Sequence, residues 1–422
     1  MKKEEKIKTE QELILDIYTS IPIKYNDQKR FIIDEKEGEM ISNIRQWLNF
    51  RTKEEVGIPV KSLDSRNLDI ERFYIGNLHL KVDKETIIAE LLVSIDAKTQ
   101  CGVLHLVLLS CNFAVTKYLD SVSLNKLTVI GNNGKTTENL FEYLKKEFEI
   151  EKKGTSKNFL TIVEDRHNIS NDWLASVLFS EIYYEKNDFL STVIDKDIMR
   201  ILSDENGRGQ YKYATVYAYR NVLVQILDTH YQQNKIEMEC VTLFYIELIL
   251  FEEATIEKAN DEIIPFLVNI DKYRPKEILQ IINGILSEHV QSINFWNVQM
   301  SYPSSQKSID YIRNAFDIEN KRAVFQRNQK ELLMIYDIRS DMVDKEETKF
   351  ISIIVAVFTV IAATLAVIST IGSTFDLRNT IIMTSVCVSI IAILIAYRRQ
   401  MHRKIHRKEK HIKKLLNRTN KQ

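Results

Sequence analysis

The sequence is poor in the residues that break or staple a chain. Its 422 residues include 5 prolines, 11 glycines, 4 cysteines and 3 tryptophans. Cys101, Cys111, Cys240 and Cys387 show no CxxC spacing, which argues against a disulfide framework or a cysteine zinc site. From Ser304 to Ile371 there is neither proline nor glycine, a run of 68 residues in which nothing local interrupts a helix. No apolar run follows the charged start MKKEEKIKTEQEL, so no signal peptide is expected. No Ser/His/Asp or paired-carboxylate arrangement has a spacing that argues for catalysis, and a non-enzymatic function is expected.

What the sequence does have is two long apolar runs. Phe350–Ile371 holds 22 residues without a charge and Ile381–Tyr397 holds 17. A hydrocarbon core of roughly 30 Å takes about 20 helical residues. The runs therefore predict a C-terminal two-helix transmembrane hairpin, with Arg398 and Arg399 snorkelling at its boundary. The tail Arg398–Gln422 carries eleven Lys or Arg and one acid, Glu409, while the loop Gly372–Thr380 has only Asp376 and Arg378. The bias puts the tail and the N-terminal domain in the cytoplasm, at the cell (inner) membrane. The net charge of zero is a sum of opposites: residues 1–371 hold 46 basic and 56 acidic side chains against the basic tail. The tail reads as an anchor at anionic headgroups of a lipid bilayer. Without interleaved aromatics it is not expected to bind nucleic acid directly.

The fold class expected is an α+β cytosolic domain, a mixed sheet with helices, followed by a long stalk helix and the hairpin. The divisions fall at 1–185 (α/β), 186–303 (the helical part), 304–349 (stalk), 350–397 (hairpin) and 398–422 (basic tail). Thr86–Ile95 and Gly102–Leu109 read as a strand pair, and Leu127–Ile130 and Phe159–Val163 as short strands. Thr137–Glu149, Tyr213–His230, Ile236–Glu253, Ile256–Asn269 and Lys276–Ser292 read as helices. The stalk is expected to run unbroken from Pro303 to Gly372, with Asp341–Lys345 the place for any break.

The first apolar run has a patterned face. Ser352, Ala356, Thr359, Ala363, Ala366, Thr370 and Ser373 recur at alternate spacings of four and three, all small or weakly polar. A period of 3.5 sets them on one seam. Two readings fit: close helix packing, where small residues let backbones approach, or a pore lined by copies of this helix. Continued backwards, the seam meets Lys349, Lys345, Met342, Ile338 and Ile335. In a symmetric ring, Ile335, Ile338 and Met342 would form an apolar gate that closes by dewetting. Lys345 and Lys349 would ring its mouth or snorkel to headgroups.

This layout resembles the CorA-type magnesium transporters. Lys349-Phe-Ile-Ser-Ile-Ile-Val-Ala-Val-Phe358 is similar to that family's entry into its first span, and Ile371-Gly372-Ser373-Thr374-Phe375 sits where the family has aromatic-Gly-Met-Asn-Phe. The resemblance implies a homopentamer, an outer loop at Gly372, Ser373 and Thr374, and a first span lining the pore. Ser373 and Thr374 replace the Met and Asn that meet hydrated magnesium, and the family's proline in the first span is absent. A divergent member of this kind looks more like the CorA-like membrane effectors beside type III CRISPR systems, switched on by a nucleotide second messenger in antiviral defence. The expected function is a homo-oligomeric channel or effector whose cytosolic domain senses a ligand. The alternatives are a divalent-cation transporter and a membrane-anchored scaffold without a pore. The ligand expected is a small nucleotide or a divalent cation.

Other motifs carry less. Leu127-Thr-Val-Ile-Gly-Asn-Asn-Gly-Lys-Thr-Thr137 lacks the first glycine of a phosphate loop and reads as a turn, although Gly131 and Gly134 would suit a ligand phosphate. His79 and His105 read as sheet-face residues rather than metal ligands. His402, His406 and His411 lie among cations, a poor place for a metal. Glu252–Glu253 and Asp261–Glu262 read as solvated helix faces, or as divalent-ion sites at subunit interfaces.

Overall fold

A computed structural model describes residues 13–26, 70–82, 85–111, 114–130, 137–180, 201–202, 209–211, 214–300 and 302–371. By contacts these divide into two units, Met1–Lys272 with Gln280–Leu333, and Tyr273–Leu279 with Met334–Gln422.

The first unit is built on an 11-stranded mixed sheet. Its strands are β1 (Leu15–Lys24), β2 (Ile70–Val82), β3 (Glu85–Asp96), β4 (Cys101–Cys111), β5 (Thr128–Ile130), β6 (Thr137–Asn139), β7 (Glu151–Lys152), β8 (Lys157–Val163), β9 (Gly209–Tyr211), β10 (Ala214–Tyr219) and β11 (Val222–Leu227). The order is β6-β5-β2-β3-β4-β1-β8-β11-β10-β9, with β7 pairing off the path on β1. All pairings are antiparallel except β8 with β11. β1 lies at the centre because it alternates two kinds of interior residue. Ile17, Ile21 and Ile23 face one core, and Asp16, Tyr18 and Ser20 lie on the other side of the pleat.

Helices cover both faces. α1 (Val115–Ser123), α2 (Leu140–Phe148) and α3 (Asn171–Phe179) bury Tyr118, Leu144 and Trp173 against the aliphatic face. α2 and α3 begin at Asn139 and Ser170, whose side chains accept from the backbone amides of Phe141 and Trp173. The opposite face takes α4 (Lys235–Val268), which packs with α5 (Pro275–Trp296) and α6 (Pro303–Ala315) into a second core around Phe244, Phe251 and Trp296. The last described helix is α7 (Ile318–Ile371). Its first sixteen residues, to Leu333, belong to the first unit.

Several expectations change. The expected helix Tyr213–His230 is the β10–β11 hairpin followed by a 3-10 turn at Thr229–Asn234. Val216 and Ala218 face the second core, Ala214 packs with Leu227 and Met238 in a small separate cluster, and Tyr217 faces the first core. Thr137–Asn139 is strand rather than the start of a helix. Ile236–Glu253 and Ile256–Asn269 are one helix, α4, carrying Pro265 inside it. The stalk breaks between α6 and α7, where Asp317 takes a left-handed φ of 58°. Nothing breaks at Asp341–Lys345.

The two-helix transmembrane hairpin is corrected: among the described residues no helix is long and apolar enough to cross a membrane. On α7 the described side chains end at Ala363. The charge-free run of α7 begins at Phe350. Glu346, Glu347 and Lys349 stand immediately before it. The second apolar run, Ile381–Tyr397, and the basic tail lie outside the described residues.

Candidate functional site

The second core is polar where it matters. Helix α4 is buried around its whole circumference from Leu243 to Ile256, and four of its glutamates are buried: Glu239, Glu247, Glu252 and Glu253. A buried carboxylate must find a cation or keep its proton. Each of the four does so with its own set of neighbours.

Glu247 pairs with Arg72 of β2 in a two-pronged contact, Nε to Oε1 at 2.9 Å and Nη2 to Oε2 at 2.5 Å. Glu239 lies near the start of α4 beside Asp16, Tyr18, Thr161 and Lys235. Burial first, then the neighbouring Asp16 charge, pushes its carboxyl up to about 8, while Lys235 opposes the shift. Asp16 is held in turn by Lys235 and by the amide of Ser110 at 2.7 Å.

Glu252 and Glu253 form the densest cluster. Oε1 of Glu253 accepts from the amide of Thr155 at 2.9 Å, its hydroxyl at 3.2 Å and Nζ of Lys321 at 2.5 Å. Oε2 lies 3.7 Å from Nζ of Lys157. Glu252 pairs with Arg322 and, at 3.4 Å, with Nη2 of Arg313. The preceding turn is shaped around this carboxylate: Gly154 has φ of 98°, and a Cβ there would collide with Oε1 of Glu253. Lys157 is fully buried and donates to Thr155 Oγ1 and Asn221 Oδ1, both at 2.7 Å, and to the carbonyl of Phe316 at 3.4 Å. Burial lowers its ammonium to about 8, against the opposing pull of Glu253.

The reading of Glu252–Glu253 as a solvated face is therefore corrected, since both side chains are 0% exposed. A helix buried all round has no solvated face for them to occupy. Asp261 and Glu262 do lie exposed. Glu262, Glu288 and His289 bring ligand atoms within 4.8 Å of one another, a donor set of the kind that holds a divalent cation. Lys258 already sits 3.1 Å from Glu288, and Nε2 of His289 is 2.8 Å from Glu262.

The residues expected to work on the long helix fall on α7. Ile338 and Met342 are exposed, at 51% and 47%, and Ile335 is half-buried. Lys345 and Lys349 are exposed. Ser352, Ala356, Thr359 and Ala363 are all exposed, while Ile353, Ile354, Val357 and Ile361 are partly covered. The hydroxyls of Ser352 and Thr359 turn back onto the carbonyls of Thr348 and Val355 at 2.8 Å. Ala366 and Thr370 lie on the helix backbone, but their side chains are outside the described set. Gly372, Ser373 and Thr374 are also outside it, as are Gly131, Gly134, His402, His406 and His411. His105 is buried, with Nδ1 2.9 Å from Ser20 Oγ, and His79 is exposed on β2.

No family model, no curated protein and no solved structure matches the chain.

Proposed function

We propose that the chain is a homo-oligomeric, ligand-responsive effector that acts on a lipid bilayer, with the α+β body as its sensor and α7 as its output. One observation carries the reading. Helix α7 leaves large apolar side chains uncovered for much of its described length: Met334, Ile338, Met342, Ile351, Val355 and Phe358 are all exposed. Apolar surface of that extent needs a partner, and further copies of the same helix or lipid supply one. The small seam Ser352, Ala356, Thr359 and Ala363 is also exposed, which suits close approach of identical helices. The basic tail supports an anionic bilayer as the target. The CorA-type effectors remain the architecture that this division of labour resembles.

A small nucleotide is the first ligand class to test, because the sequence segment with Gly131 and Gly134 directly follows β5. The second reading, control by a divalent cation, is favoured by the Glu262–Glu288–His289 set.

Vesicles of anionic lipid loaded with a dye provide the test, together with the mass of the purified protein in detergent. A multimer that binds the vesicles and releases dye on adding nucleotide or magnesium supports the proposal. A monomer rejects the assembly. A multimer that binds vesicles but releases nothing with any ligand leaves a scaffold.

A further inference from the structure

The base of α7 is held by unusual means. Its buried apolar contacts are few and narrow: Ile318, Phe325 and Leu332, spaced seven apart. Between the first two sit Lys321 and Arg322, which reach the buried carboxylates Glu253 and Glu252 of α4. Lys321 also reaches Glu257 at 3.1 Å, and Asn328 donates to Asn260 at 2.9 Å. The α6–α7 corner is tied to the same point, because Lys157 donates to the carbonyl of Phe316 and stacks over its ring at 5.0 Å.

Such an arrangement is a poor way to gain stability alone. Desolvating two adjacent carboxylates costs about as much as their pairing returns, and well-packed apolar side chains would hold the helix equally well. What charges add is a defined register, because a helix that slides or turns by one residue leaves a carboxylate buried without its cation. The cations come from separate elements: Lys157 from β8, Arg313 from α6, and Lys321 and Arg322 from α7. Only the last two travel with α7. If α7 moves, Glu253 keeps Thr155 and Lys157, and Glu252 keeps Arg313. The carboxylates therefore have a second set of partners ready when the helix lets go.

We infer that Glu252 and Glu253 are a charge latch for the base of α7, and that its engagement is the state the body passes to the helix. The inference deepens the sensor-and-output reading and rests on it. Lys321 and Arg322 are positioning residues in this scheme. They hold α7 in one register, and the fixed partners keep the carboxylates satisfied when it is released.

Hydrogen exchange of the full-length protein in detergent tests the latch directly. In Lys321→Met and in Arg322→Met, amides of residues 318–333 should exchange roughly tenfold faster or more. Amides of β1 and β8 should keep their wild-type rates. Lys321→Arg should restore protection at the α7 base. Unchanged exchange at 318–333 in both Met variants would overturn the latch. Equal acceleration in β1 and β8 would overturn it too, because the two cations would then be ordinary stabilising contacts. The readout needs neither ligand nor vesicle. Dye release can therefore fail while the exchange pattern holds, and that result removes the effector reading without touching the latch at the α7 base.

Discussion

Arg72 on β2 and Glu247 on α4, distant in sequence, meet in a buried two-pronged ion pair whose side chains are 4% and 0% exposed. The pair joins the β2–β3 arm of the sheet to the helix covering its other half. Removing one partner leaves a charge in the core, and breaking such a pair costs about 3–5 kcal/mol. Arg72→Met and Glu247→Leu should each lower the urea midpoint strongly. The double variant should recover much of the loss. Loss in the double variant equal to the sum of the singles would show that the two side chains do not act as a pair.

Glu239 should give the protein a pH-dependent component of stability. Its folded-state carboxyl sits at about 8, well above its ordinary value, so the fold holds the proton more tightly than the unfolded chain does. Its contribution is complete at acid pH below the ordinary carboxylate range and is lost as pH rises through about 8. Glu239→Gln mimics the protonated form. The difference in urea midpoint between variant and wild type should grow in favour of the variant from mildly acid pH to pH above 8. A difference that stays flat would mean that Glu239 ionises normally in the fold.

Gly154→Ala should destabilise the protein. A left-handed backbone costs a residue with a Cβ about 1–2 kcal/mol, and here the Cβ also runs into Glu253. Thermal unfolding should show a lower Tm. A Tm equal to wild type would mean that the turn shifts away without cost.

The exposed seam of α7 makes a prediction about assembly. Thr359→Leu and Ala363→Leu place bulk where copies would approach, and should reduce the mass of the detergent-solubilised protein or its dye release. Val357→Leu should leave both unchanged, because Val357 is partly covered within its own chain. Equal effects from all three would show that the copies do not meet along this seam.

Local pattern was legible where one physical signal dominated. The β3–β4 pair follows from unbroken runs of strand-forming residues, and it lies within two residues of its expected ends. The absence of proline and glycine correctly marked a helical C-terminal stretch, but not its corner. The break at Phe316–Asp317 has no breaker residue. Its geometry comes from Phe316 packing into the second core and from Lys157 on its carbonyl. The β10–β11 hairpin was misread because Tyr213–His230 carries no glycine at its turn. Arg220 takes the left-handed conformation there, with φ of 49°, and stacks over the Tyr219 ring at 5.1 Å.

By itself, then, the sequence determined an α+β body, a long proline-free helical stretch, the opposed charges of body and tail, and the small-residue seam on α7. These are properties of composition and spacing, which act over one or two turns of chain. Tertiary structure decided which charges are buried. Glu252 and Glu253 read as surface residues until β8, α6 and α7 close over them and supply Lys157, Arg313, Lys321 and Arg322. Burial depends on what distant segments bring to the same point, and one-dimensional spacing carries no record of that.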